Sequence, residues 1–346
     1  MKRRNVLAAA VVAMTSVPLT ATRAMAAQTQ VETPAEAENT FVRWLSTQDP
    51  RAMIRSRARA AILSTPAERT TFLAETYTRV LPDIALTRAR QTDYATRMVR
   101  THPAIYYPWV NATGLRALDG AEARIREFSS TDYTAALTKD RDKVPFDTGA
   151  AGVVAEDRAF VAELAVSGLS PVARERAARA VTAGTDADIA EFLLYRWAIS
   201  AEVDIELFRT DYVAAEFGWW TDVRKAVVAA ESAEQLARDA VGDAAEPARA
   251  AAVRAWEAVG AQAATALAGW AAHQRFTQVQ IDDWQRTATT AAASTSPTWR
   301  LLKVDAPAVR KLWLAEQANA AARTAWWTAV NENARARVAA LTTPAV

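Results

Sequence analysis

Arg176-Ala177-Ala178-Arg179-Ala180-Val181-Thr182-Ala183-Gly184-Thr185-Asp186-Ala187-Asp188, followed by Phe192-Leu193, is the stretch that decides the fold. Its alanine-rich first half favours a helix. Gly184 stands where a helix end wants a left-handed residue. Thr185, with Asp188 three residues on, marks the start of the next helix. The predicted unit is helix, tight turn, helix.

The same order occurs earlier in the chain. Phe41-Val42, Leu45, Arg55 and Arg57-Ala58 return 119 residues later as Phe160-Val161, Leu164, Arg174 and Arg176-Ala177. Thr65, Ala67 and Phe72-Leu73 return as Thr185, Ala187 and Phe192-Leu193, and Asp83-Ile84, Leu86 and Arg88 as Asp204-Ile205, Leu207 and Arg209. A weaker sub-repeat places a capping residue three before an acid or amide at Thr65, Asp119, Thr185 and Ser232. Phe72 and Phe192 lie seven residues after their caps and Phe128 nine after Asp119. These rings read as knobs that pack each hairpin on the next, because isolated hairpins cannot bury their own apolar faces.

The pattern resembles the ALF-repeat secreted proteins of actinomycetes, whose unit has an alanine-rich helix, a Gly-Thr-x-Ala-Asp turn and a following Phe-Leu. Residues 176–193 carry it closely, Arg57 to Leu73 with Ser-Thr-Pro-Ala-Glu at the turn, 110–128 moderately and 223–241 poorly. The resemblance implies secretion and a helical repeat scaffold. Relatives in large secreted toxins add a long coiled-coil stalk and further domains with nuclease or hydrolase motifs, and neither is legible here.

Beyond Pro247 the pattern changes. Trp256, Trp270 and Trp284 are 14 apart, as are Trp299, Trp313 and Trp327. Two heptads separate members of each set, so each set lines one helix stripe. Ser294-Thr295-Ser296-Pro297-Thr298 reads as the turn of an antiparallel hairpin. In the doublets Trp219-Trp220 and Trp326-Trp327, neighbouring side chains point about 100° apart. One ring of each pair is therefore a candidate surface for a partner, a protein first and a glycan second.

The N-terminus carries an address. Met1-Lys2-Arg3-Arg4, the apolar run from Val6 to Val17 and the triplet Ala24-Met25-Ala26 form an export signal with cleavage between Ala26 and Ala27. Arg3-Arg4 and Arg23 suit the twin-arginine route, and the general secretory route stays open. The apolar run is too short for a stable membrane anchor. Cleavage removes Lys2, Arg3, Arg4 and Arg23, so the formal charge of +2 becomes −2. With no polybasic stripe left, nucleic acid is not an expected partner.

Chemistry-bearing motifs are sparse. With no cysteine and two histidines, His102 and His273, thiol chemistry is excluded and imidazole chemistry has little to draw on. Gly-rich phosphate loops, H-E-x-x-H and G-x-S-x-G are absent from the sequence. Asp282-Asp283 reads as surface charge, and Asp140, Asp142 and Asp147 as a calcium candidate weakened by Lys139, Arg141 and Lys143. No cofactor, metal ligand or catalytic residue is assigned.

The expectation is an all-α protein: stacked helical-hairpin repeats with a Trp-rich C-terminal helical hairpin. Its divisions are a signal peptide over 1–26, a flexible mature N-terminus over 27–37, a first repeat half over 38–155, a second over 156–246 and the Trp-rich hairpin over 247–346. The expected role is a secreted, non-catalytic, extracellular protein-interaction scaffold. The alternative is a secreted all-helical hydrolase of a wall or matrix polymer, which needs two converging carboxylates.

Overall fold

The computed structural model describes residues 34–167 and 170–343, which belong to one compact unit. The signal segment, Ala26 and Ala27 lie outside the described residues. Those residues are helical and contain no strand, so the all-α class is observed.

The described residues open with α1 (Pro34–Gln48), so residues 34–37, expected to be flexible, start a helix. The described residues hold three units of one design. In the first, α1 and α2 (Ala52–Leu63) precede α3 (Pro66–Thr71), a π turn over Phe72–Thr76 and α4 (Tyr77–Arg79). In the second, α5 (Leu81–Thr101) and α6 (Pro108–Leu118) precede α7 (Glu122–Glu127), a π turn over Phe128–Asp132 and α8 (Tyr133–Arg141). In the third, α9 (Ala155–Ser167) and α10 (Pro171–Ala183) precede α11 (Asp186–Glu191), a π turn over Phe192–Arg196 and α12 (Trp197–Asp239).

The turns are set by local chemistry. Thr65 and Glu68 complete a reciprocal capping box, with Pro66 filling a position whose N–H would have no partner. Gly184 takes φ +76°, and Thr185 accepts from the Asp188 amide. The second unit corrects the expectation of a cap at Asp119. Its cap is Ala121, in extended conformation and without a side-chain bond. Counted from Ala121, Phe128 is seven residues on, so all three units share one spacing.

The π turns follow from where the aromatic rings must go. Residues five apart on an α-helix point about 140° from each other. An i→i+5 turn brings them onto one face. The amides of Tyr77, Tyr133 and Trp197 donate to the carbonyls of Phe72, Phe128 and Phe192, five residues back. The ring pairs then sit 6.4, 6.1 and 6.1 Å apart. Phe72, Phe128 and Phe192 are all buried, as expected of packing knobs.

α12 does not end near Ser232, as the fourth capping pattern predicts, but runs through it. It joins α13 (Ala245–Ala293) and α14 (Leu302–Thr342), and at 1.5 Å per residue each helix is about 60 to 75 Å long. The predicted hairpin is present, with its turn at 294–301, but it belongs to a three-helix bundle. Trp270 meets Glu216 and Trp256 meets Glu234, so α13 runs antiparallel to α12. Arg209 meets Glu316 and Arg337 meets Glu234, so α14 runs parallel to it. The long helices of the predicted hairpin are therefore joined by a third, α12, that the sequence reading did not extend this far.

The six spaced tryptophans, 256, 270, 284, 299, 313 and 327, are all buried. They join the bundle to two of the units. Trp44 meets Trp270 edge-on, Phe160 packs on Trp299 at 4.5 Å, and Trp197 packs on Trp284 at 5.8 Å.

Candidate functional site

The densest polar arrangement lies at the waist of the bundle, where the first unit docks. Glu216 of α12 sits among Val213, Phe217 and Trp220 and is fully buried. Its carboxylate accepts the indole N–H of Trp270 at 2.6 Å and of Trp327 at 2.9 Å, and pairs with the buried Arg323. Burial pushes its pKa up, opposed by the Arg323 charge and the two indoles.

This device recurs. Glu234 accepts from Trp256 at 2.9 Å, and Asp157 accepts from Trp299 at 2.7 Å and from the hydroxyls of Ser296 and Thr298. Glu316 accepts from Arg209 at 2.7 Å and from the Tyr212 hydroxyl at 3.0 Å. A buried indole needs an acceptor for its N–H, and a buried carboxylate needs donors. Each satisfies the other; Glu216 and Glu234 fix where the long helices meet, and Asp157 ties α9 to the turn between α13 and α14. Sequence reasoning assigned none of these acids. The signal was there in Ala214-Ala215-Glu216-Phe217-Gly218-Trp219-Trp220, a lone acid inside an apolar helical run.

The doublets expected to offer surface split in two. Trp220 is 5% exposed and stacks on Phe41 at 4.7 Å, and Trp327 is fully buried against Glu216. Neither presents a ring to a partner, so the candidate ring of each doublet is the other one. Trp219 and Trp326 are half-buried. Trp219 closes over Gly269, where a methyl group would fall 2.1 Å from its ring, and Arg323 lies 4.5 Å from the ring centre of Trp326.

Most of the remaining candidates have structural partners. Asp140 caps α6, accepting the amides of Trp109 at 3.0 Å and Val110 at 2.9 Å, while Asp147 accepts from the Gly149 amide. Among the described residues no three acidic or histidine side chains gather as a metal site would require. Asp283 pairs with Arg286 at 3.0 Å, and His102 packs between Tyr107 and Tyr133. His273 lies among Phe208, Tyr212 and Trp270, and burial lowers its pKa. A pocket of about 220 Å³ opens where the third π turn meets the α13–α14 turn. Leu194, Pro297, Thr298, Asp147 and Arg300 are among its lining residues, and Asp147 is the one carboxylate among the described residues that line it.

One further finding bears on the third unit. Residues 158–200 match the ALF family, described as short repeats of unknown function. The match spans most of α9, all of α10 and α11, the π turn and the start of α12, and so supports the likeness of this chain to ALF repeats. The first and second units reproduce the ALF-matched unit's six-residue helix, its π turn and its buried phenylalanine. No curated protein and no solved structure gives a significant match.

Proposed function

We propose that this chain is an exported, non-catalytic ALF-repeat scaffold that holds a helical surface out to extracellular protein partners. The observation that carries the reading is the reuse of one backbone design in three units, braced by a bundle whose buried acids are committed to indoles and arginines. Modular helical units on a rigid brace vary their outer faces without altering their packing. The half-exposed rings of Trp219 and Trp326 are the proposed contacts, since large amphipathic rings dominate protein interfaces.

Tagged full-length protein expressed for export, recovered from culture supernatant with its bound proteins, tests this reading. The expected result is an N-terminus at Ala27 and a co-purifying protein that Trp219→Ala and Trp326→Ala both weaken. Recovery of no partner, together with hydrolysis of a wall or matrix polymer, would replace the scaffold by the hydrolase.

A further inference from the structure

The second unit is attached differently from its neighbours. The first unit meets the bundle through stacked rings, Tyr77 on Phe217 at 4.1 Å and Phe41 on Trp220 at 4.7 Å. The third meets it through Phe160 on Trp299 and Trp197 on Trp284. The second unit keeps a small core to itself, Ala95, Ala117 and Phe128 with Tyr94, Met98 and Tyr133 around them, separate from the main core.

What joins it to the third unit is a row of charged pairs. Arg116 grips Glu191 through two bonds of 2.9 and 2.6 Å. Arg124 grips Glu202, Arg196 meets Asp119, and Arg88 meets Glu206 at 3.0 Å. Glu206 also accepts the Glu122 amide at 2.6 Å, and Arg176 donates to the Asp119 carbonyl. Asp305 of α14 adds its charge beside Glu202, and Arg55 of α2 adds its own beside Glu122. The paired side chains keep between about a seventh and a half of their surface in water. Apolar anchors lie at the two ends of the unit, Leu81 and Ile84 packed against the main core on one side and Gly149 against Leu194 on the other.

We infer that the second unit is a hinged module, clasped to the third by a solvent-facing ionic seam that opens as salt screens it, while the first and third units stay on the bundle. Part-exposed ion pairs weaken as the screening length falls from about 10 Å at 0.1 M salt to about 3 Å at 1 M, whereas aromatic burial does not. Opening uncovers the acidic row of Glu191, Glu202 and Glu206 on the third unit.

The natural absence of cysteine makes the test direct. Spin labels on Ala135→Cys in α8 and Ala318→Cys in α14 report the second unit against the bundle, and labels on Ala60→Cys and Ala318→Cys report the first; all three positions are exposed. Raising NaCl from about 0.05 to about 1 M is expected to add a longer-distance population to the first pair only. Glu191→Gln with Glu202→Gln should do the same at low salt. If neither pair moves, or if both move together, the hinge is refuted.

Discussion

The carboxylate of Glu216 and the indole nitrogen of Trp270, 54 residues apart in sequence, meet at 2.6 Å in the centre of the three-helix bundle. Arg323 and Trp327 approach the same carboxylate from α14, so one side chain ties all three long helices together. Glu216→Ala would strip Arg323 of its counter-charge in the interior. Breaking such a pair from one side costs about 3–5 kcal/mol. Urea unfolding should show that loss, and Glu216→Gln, which keeps an acceptor for one indole, should lose less.

Phe192 and Phe128 occupy equivalent places in different cores. Phe192→Ala and Phe128→Ala each remove a buried ring, at about 3–5 kcal/mol. Phe192 belongs to the main core and Phe128 to the small separate one. Hydrogen exchange should therefore show Phe192→Ala loosening the bundle as a whole, while Phe128→Ala exposes amides between about residues 94 and 136 and leaves α13 protected.

Gly269 leaves room for the ring of Trp219 against α13. In Gly269→Ala the new methyl would stand 2.1 Å from Cη2 of that ring, so the ring must leave or the helices must part. The expected cost is about 1–3 kcal/mol. Adding Trp219→Ala should make the second change nearly free, a coupling that a double-mutant cycle in urea measures directly.

Asp204 sets a pH dependence. Burial raises its carboxyl to about 6, against the opposing effects of the Ser170 hydroxyl and the Arg176 charge. The native chain therefore holds this proton more tightly than the unfolded chain, whose aspartates titrate near 3.8. This group's contribution to stability is full below 3.8 and is lost as pH rises through about 6. Asp204→Asn should remove that slope and stabilise the protein by about 1–2 kcal/mol at pH 7.5, as thermal melts across pH 4–8 would show.

What could be read beforehand was whatever packing imposes on the sequence as a period. The 14-residue tryptophan spacing and the Phe-Leu pairs are forced by burial and stand out in an alanine-rich chain. The cap of the second unit was misplaced by two residues because Ala121 caps through its backbone angles and has no side chain to advertise it. Ser232-Ala233-Glu234 mimics a helix start, yet Glu234 is there to accept from Trp256. The π turns left a trace in the aromatic residue five after each phenylalanine, Tyr77, Tyr133 and Trp197. That trace becomes meaningful only when the rings are seen to share a face. Burial of Trp220 and Trp327 was hidden for the same kind of reason, since α1 and α12 cover faces that a single helix cannot show to be covered.

The most direct test of a repeat defined by its π turn is a crystal structure sharp enough to place individual carbonyl oxygens. The carbonyls of Phe72, Phe128 and Phe192 should each accept from the amide five residues ahead, with the ring of that residue on the same face. Unbroken α-helix through any of the three segments, with the partner ring swung to the opposite side, would contradict the account.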